Sequence, residues 1–92
     1  MTRIHHYIDG KQVVGTSCRV GDVFNPALGV KTDEVDFASI AEVNDVVAAA
    51  AAAAPGWSST SLSRRSEILF RIREALDTHR ADIARCITAQ HG

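Results

Sequence analysis

The spacing of apolar and polar residues changes once along this chain, at Ser39, and divides it into a strand-forming part and a helix-forming part. In "IHHYIDGKQVV", two short runs of β-type residues, 4–8 and 11–14, flank Asp9-Gly10. That pair suits a type I′ turn, in which both central positions need positive φ, so the stretch predicts a β-hairpin. A polar loop over 15–22 follows. In "VFNPALGVKTDEVDFAS", Pro26 and Gly29 then bracket a turn between Val23-Phe24 and a run ending in Val35 and Phe37, which predicts a second extended or hairpin segment.

"SIAE" is a capping box: the Ser39 hydroxyl can accept from the amide of Glu42 while the Glu42 side chain returns to the amide of Ser39. It predicts a helix over 40–54 with Val43, Val46, Val47, Ala50 and Ala54 on one stripe, ended by Pro55-Gly56. The alanine run 48–54 favours helix and lets neighbours approach closely, so this helix is expected to be tightly packed. Ser61 caps a second helix whose apolar arc holds Leu62, Ile68, Leu69, Ile72 and Leu76, with Glu67 and Arg71, and Arg73 and Asp77, as i,i+4 pairs on the other side. Phe70 and Arg65 break the pattern, the first in the polar arc and the second in the apolar one. A third helix over 80–90 turns Ile83 and Ile87 inward and stops at Gly92, as helices commonly do at a left-handed glycine. The fold class is an α+β segment, an N-terminal β-hairpin and extended strands (1–38) followed by three α-helices (39–92).

Composition narrows the possibilities. A chain of 92 residues is one domain at most, and at that size only about 60–65% of the unfolded surface is buried. The 10 Lys and Arg residues nearly balance the 11 Asp and Glu, which gives no field to attract nucleic acid or an anionic membrane. No run of about 18 apolar residues is present, and "MTRIHHYIDG" lacks a secretory signal, so a cytoplasmic location is expected.

Candidate chemistry is sparse. Cys18 and Cys86 lack the spacing of a zinc site or a disulfide framework, and Cys86 is expected to be a buried structural thiol. His5 and His6 point to opposite faces of a strand and cannot share a metal there. His79 sits near a helix C-terminus, a favourable place for an imidazole. "GTSCRVGD" has neither the dinucleotide-binding nor the P-loop spacing. Arg64, Arg65, Arg71 and Arg73 are spread around their helix among acids, which describes a solvated face better than a nucleic-acid stripe.

The sequence as a whole resembles a known segment. "YIDGKQV", "FNPALGV", "SIAEVNDVVAAAAAAAPGW" and "LSRRSEILFRIREALDTHRADIARCITAQHG" look, in order and spacing, like the first part of an NAD-dependent aldehyde dehydrogenase. "GDVFNPALG", "PGWSSTSLSRRSEILF" and "ITAQHG" are most similar to the CoA-acylating methylmalonate-semialdehyde branch, whose closing stretch usually carries glutamate where this chain has Gln90.

The resemblance implies the start of an α/β nucleotide-binding domain. It also implies a parent reaction in which a cysteine thiolate adds to methylmalonate semialdehyde, hydride passes to NAD, and the thioester goes to coenzyme A as propionyl-CoA. The parent would be a homotetramer acting in valine breakdown, without nucleic-acid or membrane partners. Neither Cys18 nor Cys86 matches the catalytic thiol, so no catalytic, cofactor-binding or metal residue is expected here, and neither NAD nor coenzyme A should bind this chain alone. Some relatives hold a cation with main-chain oxygens matching Val23 and Phe24 and an acid matching Gln90. A neutral amide there weakens that expectation. Arg65 matches a recurrent family arginine, and either a partner carboxyl or carbonyl, or snorkelling to water, accounts for it.

The chain is accordingly expected to be an incomplete N-terminal piece, inactive by itself, whose partners are the rest of the enzyme or sister subunits. The competing expectation is a small non-catalytic interaction module that binds itself or a full-length dehydrogenase.

Overall fold

The computed structural model describes residues 2–92. Five strands precede three helices: β1 (Thr2–Ile4), β2 (His6–Ile8), β3 (Lys11–Val13), β4 (Val20–Asn25), β5 (Val30–Asp36), α1 (Ile40–Ser59), α2 (Leu62–Thr78) and α3 (Arg80–His91). The strands form two sheets. β2 and β3 make a hairpin with His6 opposite Val13 and Ile8 opposite Lys11, closed by Asp9 at φ 52° and Gly10 at φ 75°, the turn that Asp-Gly predicts.

The expected first run of that hairpin is divided. Ile4 leaves it and, with Thr2 and Arg3, pairs in parallel with Asp33 to Val35. β5 thus lies between β1 and the antiparallel β4, and the expected polar loop ends earlier than predicted because Val20, Gly21 and Asp22 pair with Asp36, Val35 and Glu34. No local signal marks this pairing, because the partners are a dozen or more residues away. Asp22 and Glu34 face each other across the ladder, and Lys31 relieves their repulsion at 2.8 Å from a carboxylate oxygen of each.

The capping box forms as predicted: the Ser39 amide donates to Glu42 Oε1 at 3.0 Å and the Glu42 amide to Ser39 Oγ at 3.1 Å. The helix it starts does not stop at Pro55. Proline removes one hydrogen bond but does not forbid continuation, and α1 runs on to Ser59. There the hydroxyls of Ser58, Ser59 and Thr60 donate to the carbonyls of Pro55 and Gly56. Ser61 caps α2 by accepting from the Arg64 amide at 3.1 Å. The ion pairs on α2 differ from the expected i,i+4 set. Arg64 pairs with Glu67, and Arg80 with Asp77, both at i,i+3 spacing. At the end of α3, Gly92 has φ 84° and its amide donates to the Thr88 carbonyl at 2.8 Å.

The largest departure from expectation is in packing. Among the described residues no hydrophobic side chain is buried, and each predicted helical stripe is open, including Val43 and Val47 on α1, Leu62, Leu69, Ile72 and Leu76 on α2, and Ile83 and Ile87 on α3. The molecule is a slab of 48 × 35 × 15 Å with a radius of gyration of 16.9 Å; a compact domain of this length would have about 12 Å. A thickness of 15 Å is one layer of secondary structure, since two packed layers need about 10 Å between their mid-planes in addition to their own width. The helices and their apolar stripes form where the periodicity places them, but the described residues leave those stripes uncovered.

Candidate functional site

The one buried polar side chain among the described residues is Asp36, 5% exposed at the end of β5. Three groups converge on its carboxylate. Arg3 Nε donates to Oδ1 at 2.5 Å, His5 Nδ1 lies 2.8 Å from Oδ2, and the Gly15 amide donates to Oδ2 at 2.8 Å. Led by the His5 bond, then the Gly15 amide and Arg3, these hold the Asp36 carboxyl far below the usual carboxylate range, so the group is ionised and can only accept. His5 Nδ1 therefore carries the proton it donates.

A second carboxylate repeats the arrangement one residue along. Glu42 Oε2 accepts from the Thr16 amide at 3.1 Å and stands 3.5 Å from His6 Nε2, while Oε1 accepts from the Ser39 amide. The backbone amides of Ser39 and Thr16 lower the pKa of Glu42. His6 Nε2 is itself buried with no hydrogen-bond partner. The expectation that His5 and His6 face opposite ways thus has a concrete form, in that each turns to its own carboxylate.

Between the hairpin and α1 lies a mostly apolar groove of about 320 Å³, whose lining includes Tyr7, Ile8, Val43 and Val46 together with the His6 and Glu42 pair. A larger cleft of about 590 Å³ at the end of α2 is lined by Arg73, Glu74, Leu76, Asp77 and Arg80, an open surface crossed by the Arg80 and Asp77 ion pair.

The other singled-out residues are dispersed. Cys86 is exposed on α3, which corrects the expectation of a buried thiol: α3 has no layer against its outer side to bury it. Cys18 is also exposed, at φ 61°, with its Sγ 3.9 Å from the Thr16 carbonyl. His79 closes α2 and opens α3, with Nδ1 3.7 Å from Asp82. Phe70 is 64% exposed beneath the Arg73 guanidinium at 6.0 Å, and Arg65 Nε is buried without a partner.

The turn after Asn25 meets the end of α3, where a Cβ on Gly92 would lie 3.7 Å from Ala27 and Pro26. This brings the strand that carries Val23 and Phe24 close to the closing helix; there Val23's carbonyl accepts from Thr32 Oγ1, and Gln90 offers a neutral amide where a hard cation prefers a carboxylate. No cluster of three or more His, Cys, Asp or Glu side chains suited to a metal occurs among the described residues.

Comparison with known proteins agrees with this geometry. The model of the aldehyde dehydrogenase family matches residues 13–92. A malonate-semialdehyde dehydrogenase of Pseudomonas aeruginosa is 34% identical over 92 residues, the whole of this chain and 18% of the relative. One from Bacillus cereus, designated malonate-semialdehyde dehydrogenase 3, is 33% identical over 89 residues and is likewise matched over 18% of its length.

Two crystal structures superpose with a TM-score of 0.93. A putative methylmalonate-semialdehyde dehydrogenase of Sinorhizobium meliloti complexed with NAD is 37% identical, with 98% of this chain and 18% of that one covered. The methylmalonate-semialdehyde dehydrogenase of Oceanimonas doudoroffii is 38% identical, with 100% and 19% covered. The chain thus spans less than a fifth of the length of these relatives and corresponds to their N-terminal part. With a superposition this close on two such enzymes, and a family match over all but its first twelve residues, this chain belongs to the aldehyde dehydrogenase family.

Proposed function

We propose that this chain is the N-terminal structural section of an NAD-dependent, CoA-acylating dehydrogenase of methylmalonate or malonate semialdehyde, and that it supplies framework and contact surface but no reacting group. The observation that carries this reading is the complete absence of a buried hydrophobic side chain among the described residues of a 15 Å slab. Ordering a backbone costs about 1–2 kcal/mol per residue, and burying a Val, Leu, Ile or Phe returns about 1.5–3 kcal/mol. Open stripes on all three helices leave that return uncollected until another body covers them. The relatives, of whose length this chain spans 18%, contain such a body.

The chemistry supports the same assignment. The turn joining β5 to α1, Phe37 to Ser39, has no glycine-rich phosphate cradle, and Cys18 and Cys86 have no base beside them. NAD, coenzyme A and the catalytic thiol therefore belong to the remaining sections, and the cytoplasm and a homotetrameric assembly are the setting proposed for the whole enzyme. The test is assembly. The purified chain, mixed with a polypeptide corresponding to the rest of a relative such as the Oceanimonas doudoroffii enzyme, should form a stable complex and restore NADH production with semialdehyde, NAD and coenzyme A. NADH production by the 92-residue chain alone would overturn the reading, and so would failure to bind the remainder.

A further inference from the structure

The hairpin β2–β3 shares no backbone ladder with the three-stranded sheet. Its entry residues are His5 and His6, and its exit residues are Gly15 and Thr16. The first of each pair is bound to Asp36: His5 Nδ1 and the Gly15 amide both sit at 2.8 Å from Oδ2. The second of each pair faces Glu42, with the Thr16 amide at 3.1 Å and His6 Nε2 at 3.5 Å from Oε2. Both strands of the hairpin are thus fastened at their bases by the same two oxygens, one at the end of β5 and one in the first turn of α1.

Beyond those bases, the hairpin lies beside α1 across the groove between Ile8 and Val46, a space of about 320 Å³ that no side chain of the described residues fills. The specific contacts that fasten the hairpin at its base are the polar ones to Asp36 and Glu42.

We infer that the hairpin is a hinged arm whose position over α1 is held by a double carboxylate lock, Asp36 on His5 and Gly15 and Glu42 on His6 and Thr16. Asp36 is the engaged half. Three donors satisfy it, and a Cβ on Gly15 would collide with it at 2.8 Å, so residue 15 must be glycine for the arm to seat. Glu42 is the half-engaged one, because His6 Nε2 is buried and unpartnered although it faces the carboxylate. The hinge lies at residues 5 and 14–15, outside any strand. Releasing the lock frees the arm as a unit, since the β2–β3 pairing does not involve Asp36 or Glu42. Asp36 and Glu42 are positioning residues, and what they position is Tyr7 and the outer face of the arm.

The two halves can be separated by substitution. With the chain assembled on the remainder of a relative's dehydrogenase, residue-resolved amide exchange should show Asp36→Asn speeding exchange at Gly15 by about tenfold or more, and Glu42→Gln doing the same at Thr16, each with little effect on the other amide. The Phe37 amide, which donates to the Arg19 carbonyl beside the β4–β5 ladder, reports the integrity of the sheet and should hold within about threefold. Imidazole nitrogen shifts should follow the same pairing, His5 responding to Asp36→Asn and His6 to Glu42→Gln. The lock is overturned if Gly15 and Thr16 are unprotected in the wild-type assembly, if neither variant changes them, or if both variants release every sheet amide together. If Asp36→Asn alone unfolds the sheet, Glu42→Gln decides, since its target is outside the ladder: selective release of Thr16 supports the lock, and no release overturns it.

Discussion

The Gly15 amide donates to Asp36 Oδ2 at 2.8 Å, and a Cβ built on Gly15 would stand 2.8 Å from the Cβ of Asp36. The hydrogen bond and the missing side chain express one requirement, a backbone passing directly over a carboxylate. Gly15→Ala should force the two apart, an overpacking change that costs about 1–3 kcal/mol. Amide exchange at residue 15 is then expected to rise by roughly 5- to 150-fold. An alanine variant with unchanged protection would contradict the close approach.

Acid should release the hairpin in two steps. Asp36 and Glu42 both have pKa values lowered on folding, Asp36 through His5, the Gly15 amide and Arg3, and Glu42 through the amides of Ser39 and Thr16. A depressed carboxylate stabilises the fold above its unfolded pKa, near about 4, and loses that contribution as pH falls through the folded value. Asp36 is the more strongly lowered, so Glu42 should protonate first. Carboxyl carbon shifts followed from about pH 6 downward should show Glu42 moving while Asp36 remains ionised; the reverse order would refute the assignment.

Cys18 holds φ 61° without being glycine. A non-glycine residue in the left-handed region costs about 1–2 kcal/mol, and the exposed Cys18 side chain makes only a long contact to the Thr16 carbonyl. Cys18→Gly is therefore expected to be neutral or stabilising by up to about 1 kcal/mol, as read from exchange at Arg19 and Phe37. It should also leave the dehydrogenase activity of the assembled enzyme unchanged. A large loss of activity would mean that the thiol has a chemical role.

The apolar arc of α2 is open, so its substitution should leave the isolated chain largely as it is. Leu69→Ser with Ile72→Ser should change the helical circular dichroism of the chain little, the usual outcome at exposed sites. Binding to the remainder of a relative's enzyme should fall by about tenfold or more, because burying each large side chain is worth about 1.5–3 kcal/mol. Undiminished binding would place the contact elsewhere.

The features legible in the sequence are those encoded locally. Asp9-Gly10, Ser39 with Glu42, Ser61 and Gly92 each act within a few residues, and the hairpin turn, both helix caps and the final stop occur where those residues place them. Ile4 reads as part of the hairpin because its true pairing, with β5, spans about thirty residues. The Asp36 cluster is invisible in the sequence for the same reason: Arg3, His5 and Gly15 lie 33, 31 and 21 residues from it, and no spacing rule connects them. Helical stripes are visible as patterns, but a pattern records that a face is apolar and does not name the surface that covers it. The expectation of a buried Cys86 fails on that point. Phe70, set in the polar arc of α2, is the one residue whose position in the sequence already points to more than one contact surface.

The proposed role as a section of a larger enzyme makes the fold of this chain dependent on another body, and unfolding tests that dependence most directly. Urea and thermal unfolding of the 92-residue chain, followed by far-ultraviolet circular dichroism with and without NAD, should give a broad, non-cooperative transition that NAD does not move. Adding the remainder of a relative's dehydrogenase should convert it to a sharp one. A sharp transition of the chain alone would contradict the dependence by showing an autonomous module, and an upward shift with NAD would show a cofactor site within these residues.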